Sequence, residues 1–390
     1  MGYRNKILYF SHVPWQWIKQ RPQFMAEELS KYFDVYFFYE IGFNRKNLVN
    51  NEVRYNLRLR PLLRLPFNRF KFIRSINNFL VKFYIFLFNS ISSYDIVYLT
   101  HPFLIKMIPK DILKNAKLVI YDCMDDALAF PSVESDNDIK KFIMECEKYL
   151  CDTSDLILTS SYDLKKKLIQ RYSLKKEIII LNNAINVYDH LDSTKKSTNK
   201  YIEHIFSQNF VHITYIGTID KWIDFETIKY AIHEMPNIRF HFYGPLEINK
   251  SIFDNKWIMY HGIIPHREVY EVIDRSDILI LPFLINDLTR SVNPVKLYEY
   301  LYRGKPVIAS YYEELNLFRD YIYFYSSKED FVNVIKSIIR NNFLPPKTPE
   351  ECKKFALENT WEKRAKNLKE IINLKIKEKE MVYKTELGEK

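Results

Sequence analysis

The stretch at 293–309, NPVKLYEYLYRGKPVIA, decides how the rest of the chain is read. Asn293 is a good helix N-cap and Pro294 a good first helical residue. From there Val295, Leu297, Leu301 and Tyr302 keep an apolar face until Gly304 ends the helix. Lys305-Pro306 leads directly into Val307-Ile308-Ala309, which reads as a buried parallel strand. A short helix punctuated at both ends and feeding a buried strand is a unit of an α/β sheet. Its N-terminus offers N–H groups and positive dipole to an anion, with Lys296 in the first turn and Glu299 about one turn further on. On the helix alone, a Glu299 that merely faces solvent is an equally good account.

The same strand-and-helix alternation runs outward in both directions. In the N-terminal half it predicts strands at 6–10, 35–40, 95–100, 118–121, 156–159 and 178–181, with a helix at 21–33 and others between. The polar, turn-prone run at 193–200 breaks the pattern. Strands then return at 212–217, 238–244, 257–262, 278–281, 307–309 and 323–325, with helices at 225–234, 268–275, 329–340 and 349–374. Two parallel, doubly wound halves follow. The expected boundaries are an N-terminal domain at 1–190 carrying a basic insertion at 53–90, a C-terminal domain at 205–348, a closing helix at 349–374 and a flexible charged tail at 375–390.

A chain of 390 residues with 47% hydrophobic content is long enough for two cores. Only seven glycines are present, so Gly217, Gly244, Gly262 and Gly304, each at the end of an expected strand or helix, should have positional reasons. The four cysteines, Cys123, Cys146, Cys151 and Cys352, show no CxxC pair or metal-ligand spacing, which fits a reducing, cytoplasmic compartment. No signal peptide is visible, Lys6 stands where a myristoylation signal has Ser or Thr, and the longest apolar run, 83–88, is too short to span a bilayer.

The net charge of +10 is uneven: residues 53–90 hold eight Arg or Lys and no Asp or Glu, interleaved with aromatic and aliphatic residues. Such a segment suits an anionic membrane surface, a plain structural helix or nucleic acid, and no base-reading motif supports the last. No Walker loop or GxGxxG fingerprint occurs, which argues against a P-loop ATPase or a standard NAD enzyme. Asp136 and Asp138 form an Asp-x-Asp pair in a polar stretch before a helix; two doubly wound halves argue against a metal site there, and no essential metal or cofactor is expected.

The 293–309 segment resembles the nucleotide-sugar-binding helix of GT-B glycosyltransferases, specifically the large GT4-type group and, within it, bacterial surface-polysaccharide enzymes of the teichuronic-acid type. The resemblance covers most of the chain and is carried also by GTIDKWID at 217–224 and WQWIKQRPQ at 15–23. It implies two Rossmann-like domains facing a cleft, with the C-terminal helix crossing back to the N-terminal domain. It also implies sugar transfer from a nucleotide sugar, a UDP-sugar favoured, to a surface polysaccharide or lipid-linked glycan, at the inner face of the cell membrane. Glu299 matches the Glu that holds the donor ribose in that group, and Ser291 stands where the family places a second acidic residue at the donor sugar. Gly217 would let backbone approach phosphate, the diphosphate would depend on Lys221, Arg290 or Lys296, and the nucleobase would meet backbone at Gly262, Ile263 and Ile264. A non-catalytic membrane scaffold of the same fold and a sugar-nucleotide epimerase are the rival functions.

In open α/β sheets ligands bind beyond the carboxyl ends of the strands. In the N-terminal half that filter selects His12, Trp15, Trp17 and Arg21 after the first strand, His101 after the third and Asp122 with Asp125 and Asp126 after the fourth. Asp122 falls where related GT4 enzymes end this strand in a His near the reaction centre, so it is a candidate general base on the acceptor hydroxyl, with helix capping the alternative. Asp125 and Asp126 read more simply as caps or solvated turn. Arg21 suits a phosphate of donor or acceptor, and the tryptophans suit a sugar ring or an aromatic staple over the next helix. His12 and His101 serve either the site or the local structure.

Overall fold

The computed structural model describes residues 4–41, 53, 55–63, 65, 71–91, 94–187, 205–206 and 209–386. The chain divides into two compact units, residues 1–182 with 361–390, and residues 183–360. The polar run expected to break the pattern at 193–200 lies outside the described residues.

In the first unit the apolar runs form β1 (Lys6–Ser11), β2 (Asp34–Ile41), β3 (Leu57–Leu63), β4 (Ile96–Leu99), β5 (Leu118–Cys123), β6 (Leu156–Thr159) and β7 (Ile178–Ile180). They pair in parallel in the order β3-β2-β1-β4-β5-β6-β7. Helices α1 (Arg21–Leu29), α2 (Lys71–Ile91), α3 (Lys110–Asn115), α4 (Pro131–Glu134), α5 (Asn137–Thr153) and α6 (Tyr162–Tyr172) connect them. The strand order reverses between β1 and β4, the switch point at which doubly wound sheets open a ligand crevice.

Strand β3 was not expected, because it lies inside the cationic 53–90 stretch. Its arginines are used structurally: Arg58 Nη1 donates to Tyr36 Oη at 2.6 Å, and the guanidinium groups of Arg58 and Arg60 lie over the Tyr36 ring. Pro61 is tolerated because β3 is the outermost strand. Helix α2 follows, with Val81 and Ile85 buried against the sheet and Phe72, Phe79, Phe83 and Phe86 exposed.

The second unit repeats the architecture with β8 (Val211–Ile216), β9 (Ile238–Tyr243), β10 (Ile258–Tyr260), β11 (Ile278–Leu281), β12 (Val307–Ser310) and β13 (Tyr323–Tyr325), in the parallel order β10-β9-β8-β11-β12-β13. Its helices are α7 (Phe225–Glu234), α8 (His266–Arg275), α9 (Val295–Tyr302), α10 (Lys328–Arg340) and α11 (Pro349–Glu358). Leu297 and Leu301 of α9 join Ile213, Ile280, Ile308 and Ile335 in one apolar core, which is why the 293–309 pattern keeps a single buried face.

The closing helix expected at 349–374 is two helices. Helix α11 starts in a capping box between Thr348 and Glu351 and belongs to the second unit. Helix α12 (Trp361–Glu386) belongs to the first, where the buried Trp361 stacks on Phe24 with ring centroids 5.7 Å apart. The tail expected to be flexible from 375 onward instead continues α12 to Glu386, because Ile376 is buried and Lys379 pairs with Asp155 at 2.8 Å. Residues 387–390 lie outside the described residues.

Candidate functional site

At the switch point of the first unit, His12 follows β1 and His101 follows β4, and their rings stand 4.8 Å apart. His12 Nδ1 lies 3.1 Å from Thr100 Oγ1. His101 Nδ1 accepts from the Phe103 N–H at 3.3 Å, so the neutral ring carries its proton on Nε2. Burial pulls His12 down to about 4, and burial together with His12 holds His101 well below the usual imidazole range. Two partly exposed, uncharged imidazoles, 89 residues apart in sequence, thus meet at the crevice.

The other expected residues of this edge are arranged differently. Arg21 and Asp122 are 2% and 0% exposed and form a buried ion pair. Arg21 Nε donates to both Asp122 oxygens at 3.2 and 3.0 Å, and Nη2 donates to Oδ1 at 2.8 Å. Tyr98 Oη donates to Asp122 Oδ2 at 2.7 Å, and Arg21 Nη1 donates to the Leu181 carbonyl at 2.7 Å. Burial alone would lower the Arg21 guanidinium, but the charge and hydrogen bonds of Asp122 hold it above its ordinary value. Asp122 therefore has no solvent face to offer an acceptor hydroxyl, nor Arg21 a phosphate, which corrects both expectations: a shared charge in a dry site needs all its lone pairs and protons matched. Trp15 is corrected likewise, being 1% exposed with its ring edge-on to Phe37 at 5.2 Å, a staple of the core. Trp17 stays partly exposed, and its backbone N–H donates to the Pro14 carbonyl at 3.1 Å.

Beyond β5 the carboxylates part company. Asp126 is buried between Arg171 and Lys167, at 3.0 and 3.2 Å. Asp125 is partly exposed, and burial pushes its carboxyl up to about 7 against the pull of Arg21, with Asp122 and Asp126 adding repulsion. Asp136 Oδ1 caps α5, accepting from the N–H groups of Asp138 and Ile139 at 3.0 Å, which gives the Asp-x-Asp pair a structural account.

In the second unit the strand ends are tied through glycine. Gly217 N–H donates to the Tyr243 carbonyl at 2.9 Å, and Gly244 N–H to the Gly262 carbonyl at 2.8 Å. Gly244 has φ +135, and a Cβ there would meet the Gly217 carbonyl oxygen at 2.1 Å, so only glycine lets these neighbouring loops close. Ile264 is half-buried against the core, while Lys221 and Arg290 are exposed on the loops after β8 and β11.

Helix α9 begins at Val295, with Pro294 rather than Asn293 at the cap position. Asn293 is buried and acts instead as a node: its Oδ1 accepts from Asn183 N–H at 3.0 Å and Tyr298 Oη at 3.3 Å, and its Nδ2 donates to Glu314 Oε1 at 3.1 Å. Ser291 is 2% exposed and donates to the Asp287 carbonyl at 3.3 Å. Lys296 Nζ and Glu299 Oε2 pair at 2.8 Å on one face of α9, so a cation and a carboxylate stand together one turn from the helix start. Glu299 is 5% exposed, which sets aside the solvent-facing account. Sequence reasoning missed Tyr98, Asn183 and Glu314, whose partners are distant in the chain and leave no local signal. It also missed Tyr300, buried in a helix that reads as plain core, whose Oη accepts from the Ile216 N–H at 3.1 Å.

Among the described residues no helix is long and apolar enough to cross a membrane. Residues 226–370 match the protein family described as glycosyl transferase-like. Over 238 residues the chain is 25% identical to a teichuronic acid biosynthesis glycosyltransferase, TuaH, of Bacillus subtilis (strain 168), a match spanning 57% of this chain and 59% of that relative's length. Sucrose-phosphate synthase from Thermosynechococcus elongatus superposes with a TM-score of 0.73 at 11% identity, covering 95% of this chain and 99% of that one. Anabaena HepE in complex with UDP-glucose superposes with a TM-score of 0.67 at 10% identity, covering 94% and 99%. The fold is that of the GT-B glycosyltransferases, two Rossmann-like α/β domains with parallel sheets.

Proposed function

We propose that this chain is a glycosyltransferase that moves a sugar from a nucleotide-sugar donor, a UDP-sugar by preference, to a surface polysaccharide or lipid-linked glycan. The observation that carries the reading is the glycosyl transferase-like match at 226–370, because it spans the helix that bears Lys296 and Glu299. In this reading Glu299 takes the donor ribose hydroxyls, while Lys296, Arg290, Lys221 and the α9 N-terminus neutralise the diphosphate. Helix N–H groups and cations make a divalent metal unnecessary. The acceptor meets the carboxyl edge of the first unit around His12, His101 and Asp125. The cationic 53–90 stretch and the exposed aromatic face of α2 hold the enzyme at the anionic inner face of the cell membrane.

Thermal unfolding with UDP, GDP, dTDP, ADP and CMP tests the donor assignment. A ligand that binds only the folded state stabilises it by about 2.7 kcal/mol at a hundred times its dissociation constant. UDP should raise the midpoint by several degrees, GDP or dTDP less, with or without added magnesium. The shift should shrink strongly in Glu299→Ala and in Lys296→Ala. No shift with any nucleotide would reject the donor reading, and an undiminished shift in Glu299→Ala would move the donor off α9.

A further inference from the structure

We infer that His12 and His101 form a subsite for an uncharged sugar hydroxyl of the acceptor, one ring accepting from its O–H and the other donating to its oxygen. That the sugar is an acceptor's rests on the glycosyl-transfer reading above. Strands β1 and β4 pair Phe10 with Leu99, and two residues further the same register sets His12 against His101 at the carboxyl edge. The hydrogen bonds beneath the rings give them opposite tautomers. Thr100 Oγ1 donates its single proton to the Phe10 carbonyl at 3.3 Å, so it accepts from His12 Nδ1–H at 3.1 Å. His12 Nε2 is then a bare lone pair. His101 Nδ1 accepts from the Phe103 N–H, so its Nε2 carries the proton. Among the described residues neither Nε2 has a hydrogen-bond partner, and neither atom is sealed from solvent.

One acceptor and one donor side by side select the group that suits both. Two N–H donors would suit a phosphate or carboxylate, and two lone pairs a cation. The mixed pair sets an anion against the His12 lone pair and a cation against the His101 N–H. A hydroxyl, which carries both a proton and lone pairs, satisfies each ring. Burial keeps both imidazoles uncharged, so the pattern persists at neutral pH. Phe103, itself partly exposed, extends the row with its ring centroid 4.6 Å from that of His101, a flat apolar face for the C–H side of a sugar ring. A few polar groups that fix orientation beside apolar rings are the ordinary make-up of a small-ligand site.

The test is nitrogen-15 NMR of the imidazole rings in the full chain, with His12→Phe and His101→Phe assigning the signals. The parent should show His12 as the Nδ1–H tautomer and His101 as the Nε2–H tautomer. Methyl glucoside, methyl galactoside and methyl N-acetylglucosaminide are then titrated, with methyl glucuronide and glucose 6-phosphate as charged counterparts. At least one neutral glycoside should move both Nε2 signals to saturation, and the charged counterparts should bind at least about tenfold more weakly. Each Phe variant should lose about tenfold in affinity for that glycoside, the scale of one hydrogen bond, and His12→Gln, whose amide reaches the Nε2 position, should recover it. The same tautomer on both rings overturns the subsite, as does tighter binding of the glucuronide or the phosphate, or no response of either ring to any neutral glycoside. A parent that binds the glycoside here while no nucleotide shifts its thermal midpoint keeps the hydroxyl subsite and overturns the glycosyl-transfer reading instead.

Discussion

His241 Nε2 lies 2.9 Å from His212 Nδ1 across the second unit's sheet, and its own Nδ1 lies 3.0 Å from His261 Nε2. Three neutral imidazoles, each with one N–H, satisfy this line head to tail in either direction. Phe206 covers it, with ring centroids 5.0 Å from His212 and 4.9 Å from His241. Burial, with repulsion from His261, His212 and Arg239, pulls His241 down to about 2, and burial pulls His261 down to about 4. Unfolded histidines titrate near 6.5, so below that pH the unfolded state binds more protons. Stability is complete above pH about 6.5 and falls as pH drops toward 4, by about 1.4 kcal/mol per pH unit for each such ring. Urea unfolding between pH 7 and 4.5 checks this. The first unit, where burial draws His12 down to about 4 and holds His101 well below the usual range, should weaken over the same interval.

The Arg21–Asp122 pair sets a second expectation. Taking away one partner of a fully buried ion pair leaves the other charge unmatched and costs about 3–5 kcal/mol. Asp122→Asn and Arg21→Met should each lower the urea midpoint of the first unit markedly. The double variant should lose less than the sum of the two, because neither charge is then stranded. Single variants as stable as the parent would contradict the pair's burial.

Gly244→Ala is expected to be costly for two separate reasons. Its φ of +135 is one that residues with a Cβ rarely adopt, and the new methyl would run into the Gly217 carbonyl. Strain and overpacking together come to more than about 2 kcal/mol, which differential scanning calorimetry would read as a lower transition for the second unit.

Liposome flotation tests the surface of the first unit. Binding to anionic vesicles should exceed binding to neutral ones and weaken with salt, since each nearby cation contributes about 1 kcal/mol at a charged bilayer. Replacing Phe79 and Phe83, whose exposed rings stack at 6.2 Å, by Asp should abolish it. Neutralising Arg64, Arg69, Lys71 and Arg74 should weaken it stepwise. Unchanged binding in both sets would remove the membrane role of 53–90.

The architecture was legible wherever periodicity alone decides it. Tyr323–Tyr325 and Phe225–Glu234 fall on the expected bounds, because an apolar run or an amphipathic stripe marks them locally. Strand β3 escaped notice because arginines fill the alternate positions that polar residues would normally hold, and the charge run masked the period of two. The break between α11 and α12 was hidden for another reason: Asn359 and Thr360 are mild interruptions in a helical pattern, and only packing turns them into a boundary. In the second unit, the place of Glu299 one turn into α9 and the glycines at strand ends were readable from spacing. The partnership of Arg21 with Asp122 was not, since 101 residues separate them and each alone looks like a ligand-binding group.

The placement of α12 bears on how the protein is made. Trp361 completes the packing over Phe24, so the first unit draws on both the beginning and the end of the chain, whereas the second is one uninterrupted segment. On the ribosome, synthesis runs from the N-terminus at about 5–20 residues per second, and domains generally fold as units. The second unit therefore has all its residues before the first does. Residues 1–182 wait, with the Phe24 face uncovered, until α12 emerges. A chain halted at Thr360 would hold the whole second unit and leave the unit translated first without α12.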